Sequence, residues 1–338
     1  MSEIYIILFT LIITLFLNYI LNKNEFLVDK KFSSHKSFAT NEIIPISGGL
    51  IFLICSLYFL SFDNLILKCF IFFIFLVGFL SDTNYLFSPT KRFFLQILIV
   101  LLFVYLSETF INSLRIPFLD KFLENIFFKY TFTIFCYLVL INGANFVDGL
   151  NTLFLGYSLG VAITCLFVAK HVGISSDINN FLIIVILLSV LYAFNFFGKL
   201  LSGDSGAYLI SFLLGYYLIY ISNFTEIVSP YFVACLLWYP AYECLFSIIR
   251  KKIIKTKITQ PDNKHLHHYV FIFFKKKLKL KGVILNTFSG TSINFFNFFI
   301  FYNAYQNLSQ TKNLLLILLV SFIFYNSIYF YLKKISNS

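Results

Sequence analysis

Residues 65–80 read LILKCFIFFIFLVGFL, and a single charge, at Lys68, interrupts this apolar stretch. A helix that crosses a bilayer needs about 20 consecutive, mostly apolar residues. Comparable runs recur along almost the whole chain, and they are continuous, whereas the strands of a transmembrane β-barrel alternate apolar and polar residues. The stretch therefore predicts a membrane-spanning helix, and its recurrence predicts an all-α, polytopic transmembrane bundle.

The composition excludes an ordinary soluble protein. The 338 residues are 59% hydrophobic and 12% charged, whereas a soluble domain has about 25% charged residues. The formal charge of +11 would suggest nucleic acid as the partner of a soluble protein. Because the cations here lie in a few loops between apolar runs, membrane lipids with anionic headgroups and phosphorylated substrates are the expected partners, and nucleic acid is not.

Eleven apolar runs divide the chain, with ten as the alternative count. They cover residues 4–21, 46–62, 65–80, 92–107, 128–144, 150–169, 180–197, 205–222, 228–249, 282–302 and 313–332. The longest gap, residues 250–281, is too short for a soluble domain, so we expect one integral membrane domain over residues 1–338. This basic gap carries a histidine motif. It is either an amphipathic segment in the membrane interface or a solvated loop, and the sequence leaves both open.

The basic residues predict the orientation. Of the 26 Lys and Arg residues, twenty lie after odd-numbered runs or at the C-terminal end: Lys23, Lys30, Lys31, Lys36, Lys91, Arg92, Lys199, the eleven from Arg250 to Lys281, Lys333 and Lys334. Loops rich in Lys and Arg stay in the cytoplasm. We therefore expect the N-terminus outside, the C-terminus in the cytoplasm, and the loops after odd-numbered runs on the cytoplasmic side.

Acids and histidines stand at four places at the ends of these runs. Asp82 ends the third run, Asp148 follows the fifth, Asp204 follows the seventh, and the ninth is followed by His265, His267 and His268. Any one of them alone has an ordinary explanation, such as a helix cap or a polar turn. All four places nevertheless fall on the predicted cytoplasmic side. Because ionisable groups at membrane depth are costly and usually functional, the coincidence predicts one site.

Phosphoryl transfer with a hard cation is the chemistry that this set of residues favours. Mg²⁺ is commonly held by one or two carboxylates together with substrate phosphates. Glycines beside Asp148 and Asp204 allow the backbone to approach phosphate, and a helix N-terminus attracts an anion. Histidines and lysines neutralise the charge that develops on a leaving pyrophosphate. A lipid-borne acceptor would explain why such a site lies at a membrane face.

Five ordered motifs run through roughly residues 28–270. They are Ser34-His35-Lys36 with Pro45–Gly49, Asp82 with Ser88-Pro89, Lys91-Arg92 and Gln96, Asn145–Gly149, Phe194-Asn195 with Gly203–Gly206, and Pro261–His268. Together they resemble the polyprenyl-phosphate N-acetylhexosamine-1-phosphate transferases of glycosyltransferase family 4, which are related to the phospho-N-acetylmuramoyl-pentapeptide transferases. Asn151 and the sequence His-Leu-His-His favour the N-acetylhexosamine branch of this family.

The resemblance implies an enzyme that moves a sugar-1-phosphate, such as N-acetylhexosamine-1-phosphate, from a UDP-sugar to undecaprenyl phosphate. UMP is released, and the lipid-linked product initiates a cell-envelope glycan, for example in cell wall or lipopolysaccharide biogenesis. Such enzymes require Mg²⁺, with Mn²⁺ as an alternative. The implied location is the bacterial inner (plasma) membrane with the active site on the cytoplasmic face, and a homodimer is left open.

The resemblance also implies roles for single residues. Asp204 would bind the metal, and Asp82 would act near the metal and the lipid phosphate. The expected nucleotide and substrate contacts are Asp148, Asn145, Asn151 and Asn195, and the expected pyrophosphate or sugar contacts are His265, His267 and His268. Further candidates for phosphate contacts, with membrane-surface cations as the alternative, are Lys36, Lys91 and Arg92.

One departure from the family pattern leaves alternatives open. Family members carry an acidic pair where this chain has the single Asp82, flanked by Ser81 and Thr83, and the spacing does not decide which member of the pair Asp82 matches. A catalytically degenerate homologue, with Ser81 as the sign of lost activity, is therefore one alternative. The second is a membrane transporter, which would place acids in mid-span and interrupt its helices there. Glu243, just after Pro240, is the one other deeply placed acid, and we interpret it as a structural partner within the bundle.

Overall fold

The computed structural model describes residues 2–29, 44–61, 65–257 and 263–337 of the chain. Within these ranges lie the helices α1 (Glu3–Lys23), α2 (Gly48–Phe59), α3 (Leu65–Asp82), α4 (Pro89–Ser107), α5 (Pro117–Leu123), α6 (Ile126–Val147), α7 (Leu153–Val172), α8 (Ser175–Phe196), α9 (Gly203–Phe224), α10 (Pro230–Ile253), α11 (Leu266–Lys277), α12 (Gly282–Gln306) and α13 (Thr311–Asn337). Two short antiparallel strands, β1 (Val28–Asp29) and β2 (Ile44–Pro45), precede α2. The all-α fold class predicted from the sequence is confirmed.

Each of the eleven apolar runs contains a helix. Among the residues that the structure describes, ten helices are long and apolar enough to cross a membrane, and the shorter α2 is apolar but has 12 residues. At 1.5 Å per residue α2 rises about 18 Å, which is less than the bilayer core of about 30 Å. Extended backbone at β2 before α2 and at Leu60 after it lengthens this passage.

The long helices run between two faces of the bundle, and successive ones run in opposite directions. The shorter α2 follows the same alternation. At the start of α2 the amide of Gly48 donates to the carbonyl of Leu201 (3.0 Å). Beyond its end the amide of Ser61 donates to the side chain of Asn180, near the start of α8 (3.1 Å). In the described chain α2 therefore runs between the same two faces as the ten longer helices, and its crossing of the membrane as an eleventh span stays a prediction. We call the face that carries residues 199–205 the active-site face; its position relative to the cytoplasm stays a prediction.

α9 lies at the centre of the bundle, and nearly its whole length is buried. Its neighbours approach closely at glycines. A methyl group at Gly78 of α3 would collide with the backbone of Ser205, and one at Gly49 of α2 would collide with the amide of Gly206. Small residues at crossing points are typical of membrane helices, because they let two backbones come close. These crossings bring α2 and α3 against the first turn of α9.

Polar residues of α12 hold the loop that follows α6. In the sequence they interrupt the tenth apolar run, yet the structure has one continuous helix of 25 residues there. Asn286 Oδ1 accepts from the amide of Asn151 (2.6 Å), and Asn294 Nδ2 donates to the carbonyls of Thr152 (2.8 Å) and Leu153 (3.0 Å). Buried amide side chains are tolerated when they are hydrogen-bonded, so these residues fix the loop from the side of α12.

The basic gap at residues 250–281 is largely helical where the structure describes it. α10 continues through Ile253, and α11 begins at Leu266. Residues 266–271 are buried, while Lys275–Lys277 are exposed. The helix α11 packs against α12 and α13, and whether this gap lies in the membrane interface or in solvent stays a prediction.

Candidate active site

The first turn of α9 is the centre of the candidate site. Gly203 has a φ of +72°, a conformation that glycine adopts without strain. Asp82, at the end of α3, accepts hydrogen bonds from the amides of Asp204 (2.8 Å) and Ser205 (3.0 Å) and from the Ser205 hydroxyl (2.6 Å). The first amides of a helix lack partners within the helix. Asp82 therefore caps α9 from a neighbouring helix, and its negative charge suits the helix N-terminus.

Three donors from three different elements converge on the Asp204 carboxylate. Asn145 Nδ2, in the last turn of α6, donates to Oδ1 (2.6 Å). Ser81 Oγ and Arg92 Nη1 both donate to Oδ2 (2.6 and 2.5 Å). The carboxylate is 24% exposed. Asp204 is thus a fixed, charge-compensated carboxylate with access to the active-site face.

Asp148 completes the predicted group of three aspartates. It follows the last residue of α6, and its Oδ1 accepts from the hydroxyl of Ser202 (3.1 Å). Asp82, Asp148 and Asp204 therefore all lie around residues 202–205. They do not form one coordination sphere in this structure, since each carboxylate has its own hydrogen-bond donors.

The histidine motif lies beside this group. A methyl group at Gly149, next to Asp148, would collide with Nε2 of His267, and the ring of His265 lies 5.3 Å from that of Phe146. The three imidazoles pack on one another, with ring centroids 4.2 Å apart for His267 and His268 and 5.5 Å apart for His265 and His267. The structure therefore brings the loop after α6 and the start of α11 together, as the sequence predicted.

His267 is the most deeply placed of the three histidines. Neither of its ring nitrogens has a hydrogen-bond partner, although both are buried. Burial lowers the pKa of His267 well below its usual value of 6.5, and the adjacent His268 and His265 lower it further. A neutral imidazole carries one donor and one acceptor, and leaving them unsatisfied is costly. The position suits a bound group that offers oxygen atoms to this ring.

Asn195 and Asn151 belong to the hydrogen bonds that hold the loop after α6 in place. The Asn195 side chain accepts from the amide of Thr152 (2.5 Å) and donates to the carbonyl of Leu200 (2.7 Å). Asn151 is 7% exposed, and its amide is bound by Asn286. Thr152 has a φ of +67°, so the loop needs these anchors to hold a conformation that is unfavourable for threonine. Substrate contacts by Asn195 and Asn151 stay predictions.

The three predicted phosphate-binding cations are placed differently. Arg92, in the first turn of α4, joins the Asp204 group, and its Nε is buried without a hydrogen-bond partner. Lys91 is exposed beside it. Lys36 lies outside the described residues, as do His35, Pro261 and Asp262.

The oxygen donors of this group fit a hard divalent cation. Mg²⁺ is usually held by one or two carboxylates, with substrate phosphates and water completing its shell. Asp204 is partly exposed, and Oδ1 of Asp82 accepts one hydrogen bond, so both carboxylates keep further lone pairs. In residues 2–29, 44–61, 65–257 and 263–337, no three acidic, histidine or cysteine side chains form a ready metal site; a cation shared with substrate phosphates does not require one.

Sequence reasoning missed two features of the site. Glu243 of α10 contacts the histidine motif, with Oε2 lying 2.9 Å from His265 Nδ1. The polar residues of α12 hold the loop after α6, as described above. A buried acid in an apolar helix was a usable signal for Glu243, but its partner lies on another element and has no signature in the spacing.

Comparisons with known proteins give one family and two named relatives. The sequence model of glycosyl transferase family 4 matches residues 64–222. A Bacillus subtilis (strain 168) protein named probable undecaprenyl-phosphate N-acetylglucosaminyl 1-phosphate transferase is 27% identical over 212 residues, which is 60% of this chain and 56% of that protein. A Thermotoga maritima protein named undecaprenyl-phosphate alpha-N-acetylglucosaminyl 1-phosphate transferase is 30% identical over 155 residues, which is 46% of each chain.

The matched region contains all three residues of the aspartate group. Asp82, Asp148 and Asp204 lie within residues 64–222, whereas the histidine motif lies beyond them. The alignments span about half the length of the two relatives. The family resemblance drawn from the motifs is confirmed.

Proposed function

We propose, on the premise that residues 64–222 place this chain in glycosyl transferase family 4, that the protein is a phosphosugar transferase acting on a lipid acceptor. It transfers N-acetylhexosamine-1-phosphate, or a related sugar-1-phosphate, from a UDP-sugar to undecaprenyl phosphate. The acceptor follows the names of both relatives, and these names also favour N-acetylglucosamine as the sugar. The UDP-sugar donor and UMP as the second product follow the family resemblance.

One observation carries this proposal: the Asp204 carboxylate, held by Asn145, Ser81 and Arg92, lies at the start of a buried helix. A helix N-terminus attracts phosphate. The histidine motif is adjacent, through the contact of His267 with Gly149. Fixed donors, cations and a carboxylate at one membrane face are what transfer between two phosphates requires, because such catalysis consists mainly of positioning and charge stabilisation.

The reaction forms one bond and breaks one bond. An oxygen of the lipid phosphate bonds to the sugar-linked phosphorus of the donor, and the bond from that phosphorus to the bridging oxygen breaks. UMP leaves with the electron pair. A lipid phosphate is already largely ionised near neutral pH, so an in-line attack does not require a base. A single Asp82 in place of an acidic pair is therefore compatible with turnover.

We assign roles to the residues on this basis. Asp204, assisted by Asp82, would hold Mg²⁺, which neutralises phosphate charge when bound. Arg92 and the histidines 265, 267 and 268 bind the diphosphate and stabilise the charge that moves onto UMP. Asp148 lies on the nucleotide side. Ser81 and Asn145 orient Asp204 through their hydrogen bonds.

The position in the membrane follows from charge. Lys91, Arg92, Lys199 and the basic residues around α11 share the active-site face, and loops rich in Lys and Arg remain in the cytoplasm. UDP-sugars are cytoplasmic metabolites, so the proposal places the reaction on the cytoplasmic leaflet of a bacterial inner membrane. The product would be the lipid-linked first sugar of a cell-envelope glycan.

The proposal predicts UMP release by purified protein supplied with undecaprenyl phosphate and a UDP-N-acetylhexosamine. Turnover should require Mg²⁺, with partial replacement by Mn²⁺, and should stop when the metal is chelated. Each of several UDP-sugars is tested in parallel, and lipid-linked product is identified by mass. Omitting the lipid phosphate is the control for hydrolysis of the donor.

Three results would each contradict a different part of this proposal. Turnover in the presence of a chelator removes the metal from the reaction. Absence of product with every donor favours the degenerate homologue. Uptake of a solute by sealed vesicles without UMP release favours the transporter.

The contact between the loop after α6 and the histidine motif gives a second prediction. In Gly149→Ala the new methyl group must displace the ring of His267, so we expect UMP release to fall by up to about 100-fold, as when a positioning group is misplaced by about 1 Å. The control is Gly173→Ala, whose methyl group has no neighbour within 4 Å but whose φ of +80° strains any side chain, so the activities of both variants are normalised to folded protein. Equal activities of the two variants would show that His267 does not act from this position.

A further inference from the structure

Glu243 is a buried carboxylate that the proposed reaction does not use. It lies in α10, three residues after Pro240, and is 1% exposed. A carboxylate in an apolar helix bundle is costly unless hydrogen bonds compensate its charge. The partners of Glu243 therefore indicate what its burial achieves.

Both oxygens of Glu243 bind the start of the histidine motif. Oε2 lies 2.9 Å from Nδ1 of His265, and Oε1 accepts from the amide of Leu266 (3.1 Å). Tyr239, one turn earlier in α10, donates to Oε1 (3.5 Å). Leu266 is the first residue of α11, and His265 provides no side-chain cap there. Glu243 thus supplies from another helix an acceptor that the first amides of α11 require.

The contact with His265 also determines the proton on that ring. An ionised carboxylate only accepts hydrogen bonds, so Nδ1 of His265 must carry a proton toward Glu243. The partner of one ring nitrogen sets the state of the other, and Nε2 is then the nitrogen on the side of the ring away from Glu243. The His265 ring is nearly parallel to that of His267, with 12° between the planes. The orientation of the His265 ring therefore constrains the orientation of the His267 ring.

We propose that Glu243 is a positioning residue for the histidine motif: it fixes the Nδ1–H form of His265 and the first turn of α11 against residues 145–149. This inference rests on the proposed function, in which the motif binds the diphosphate. Glu243 acts through the histidines and does not touch substrate. Its role is to keep three packed imidazoles in one arrangement before substrate arrives.

The first test is Glu243→Gln in detergent-purified protein, assayed by UMP release. Glutamine has one acceptor oxygen, so its NH₂ group must face either His265 Nδ1–H or the amide of Leu266. We expect kcat to fall by about 10- to 100-fold, with KM for the UDP-sugar changed by less than about threefold. Glu124→Gln, an exposed acid after α5, is the matched control and should leave kcat unchanged. A purely structural role would lower the yield of folded protein and leave its kcat intact, which would overturn the inference.

A double-substitution cycle with His265→Ala separates positioning from independent action. If Glu243 acts through His265, adding Glu243→Gln to His265→Ala lowers kcat by less than about twofold, because interacting residues are not additive. A full, multiplied loss in the double variant would show that Glu243 acts by another route and would overturn the proposal.

A spectroscopic measurement tests the same inference without depending on enzymatic activity. In natural protein labelled with ¹⁵N-histidine, the nitrogen signals of His265, assigned by their loss in His265→Ala, should report a proton on Nδ1. A neutral ring protonated only at Nε2 would overturn the inference. If the natural protein turns over no donor, the proposed function fails while this measurement still decides the role of Glu243.

Discussion

Replacing Asp204 by asparagine is expected to lower UMP release by about 1,000-fold while the protein stays folded. The size follows from the loss of a preorganised charged group at a phosphate-binding site, where a single donor is worth up to about 10³ in kcat. In this structure the carboxylate is the meeting point of Asn145, Ser81 and Arg92. Removing its charge therefore affects both the expected metal site and the placement of Arg92.

Asparagine cannot take over these contacts. Donors face both oxygens of Asp204, so the NH₂ group of asparagine must point at a donor whichever way the amide is turned. The start of α9 should nevertheless survive, because its amides are bound by Asp82 and not by Asp204. Thermal stability and elution as a single species in detergent are the measurements that separate lost chemistry from lost folding.

The matched control for Asp204 is Asp120→Asn. Asp120 belongs to α5 and accepts from the amide of Leu114 and the hydroxyl of Ser113 (3.1 Å), far in sequence from the aspartate group. It should retain natural activity. If Asp204→Asn stays within about fivefold of the natural protein, Asp204 is not the residue that holds the cation.

The helices of this protein are predictable because they are apolar over the width of a bilayer. The run at residues 65–80 lies within α3 (Leu65–Asp82). The tenth run was less regular in sequence, since Asn286 and Asn294 interrupt it. Their partners are backbone groups at residues 151–153, and such pairing across more than 130 residues leaves no periodic signal in α12.

The aspartate group was predictable for a topological reason. Alternating spans place Asp82, Asp148 and Asp204 on one face whatever the details of packing, and the structure gathers them around residues 202–205. The individual partners were not predictable, because they depend on how the helices rotate against one another. Asp82 acts as a cap of α9, and Arg92 binds Asp204 directly; neither contact follows from sequence distance.

Ser81 takes a defined place in this arrangement. It donates to Asp204 and lies within hydrogen-bond distance of Arg92 Nη1. The neighbour of Asp82 is therefore a neutral donor, and one carboxylate, that of Asp204, faces the Arg92 guanidinium. With less negative charge than an acidic pair would give, the site depends more strongly on Asp82 and Asp204. The second large effect is accordingly expected at Asp82.

Asp82→Ala is expected to reduce both stability and activity. The substitution leaves the amides of Asp204 and Ser205 and the Ser205 hydroxyl without their acceptor, which costs about 3 kcal/mol if the lost bonds count at 1–3 kcal/mol each and partly re-form with water. Because Asp204 is in the turn that loosens, UMP release per folded molecule should fall by about 100-fold. Thermal unfolding in detergent and UMP release, both normalised to folded protein, measure the two effects.

Asn125→Ala is the control that separates the loss of a helix cap from the loss of catalysis. Asn125 caps α6 on the opposite face, accepting from the amides of Phe127 (3.0 Å) and Phe128 (3.3 Å). Its loss should cost about 1 kcal/mol of stability, as for an ordinary cap, and leave turnover unchanged. If Asp82→Ala also lowers only the stability, Asp82 is a cap and nothing more. A loss of turnover beyond the loss of folded protein, seen at Asp82 and absent at Asn125, ties the cap of α9 to the chemistry, because the turn that it holds carries Asp204.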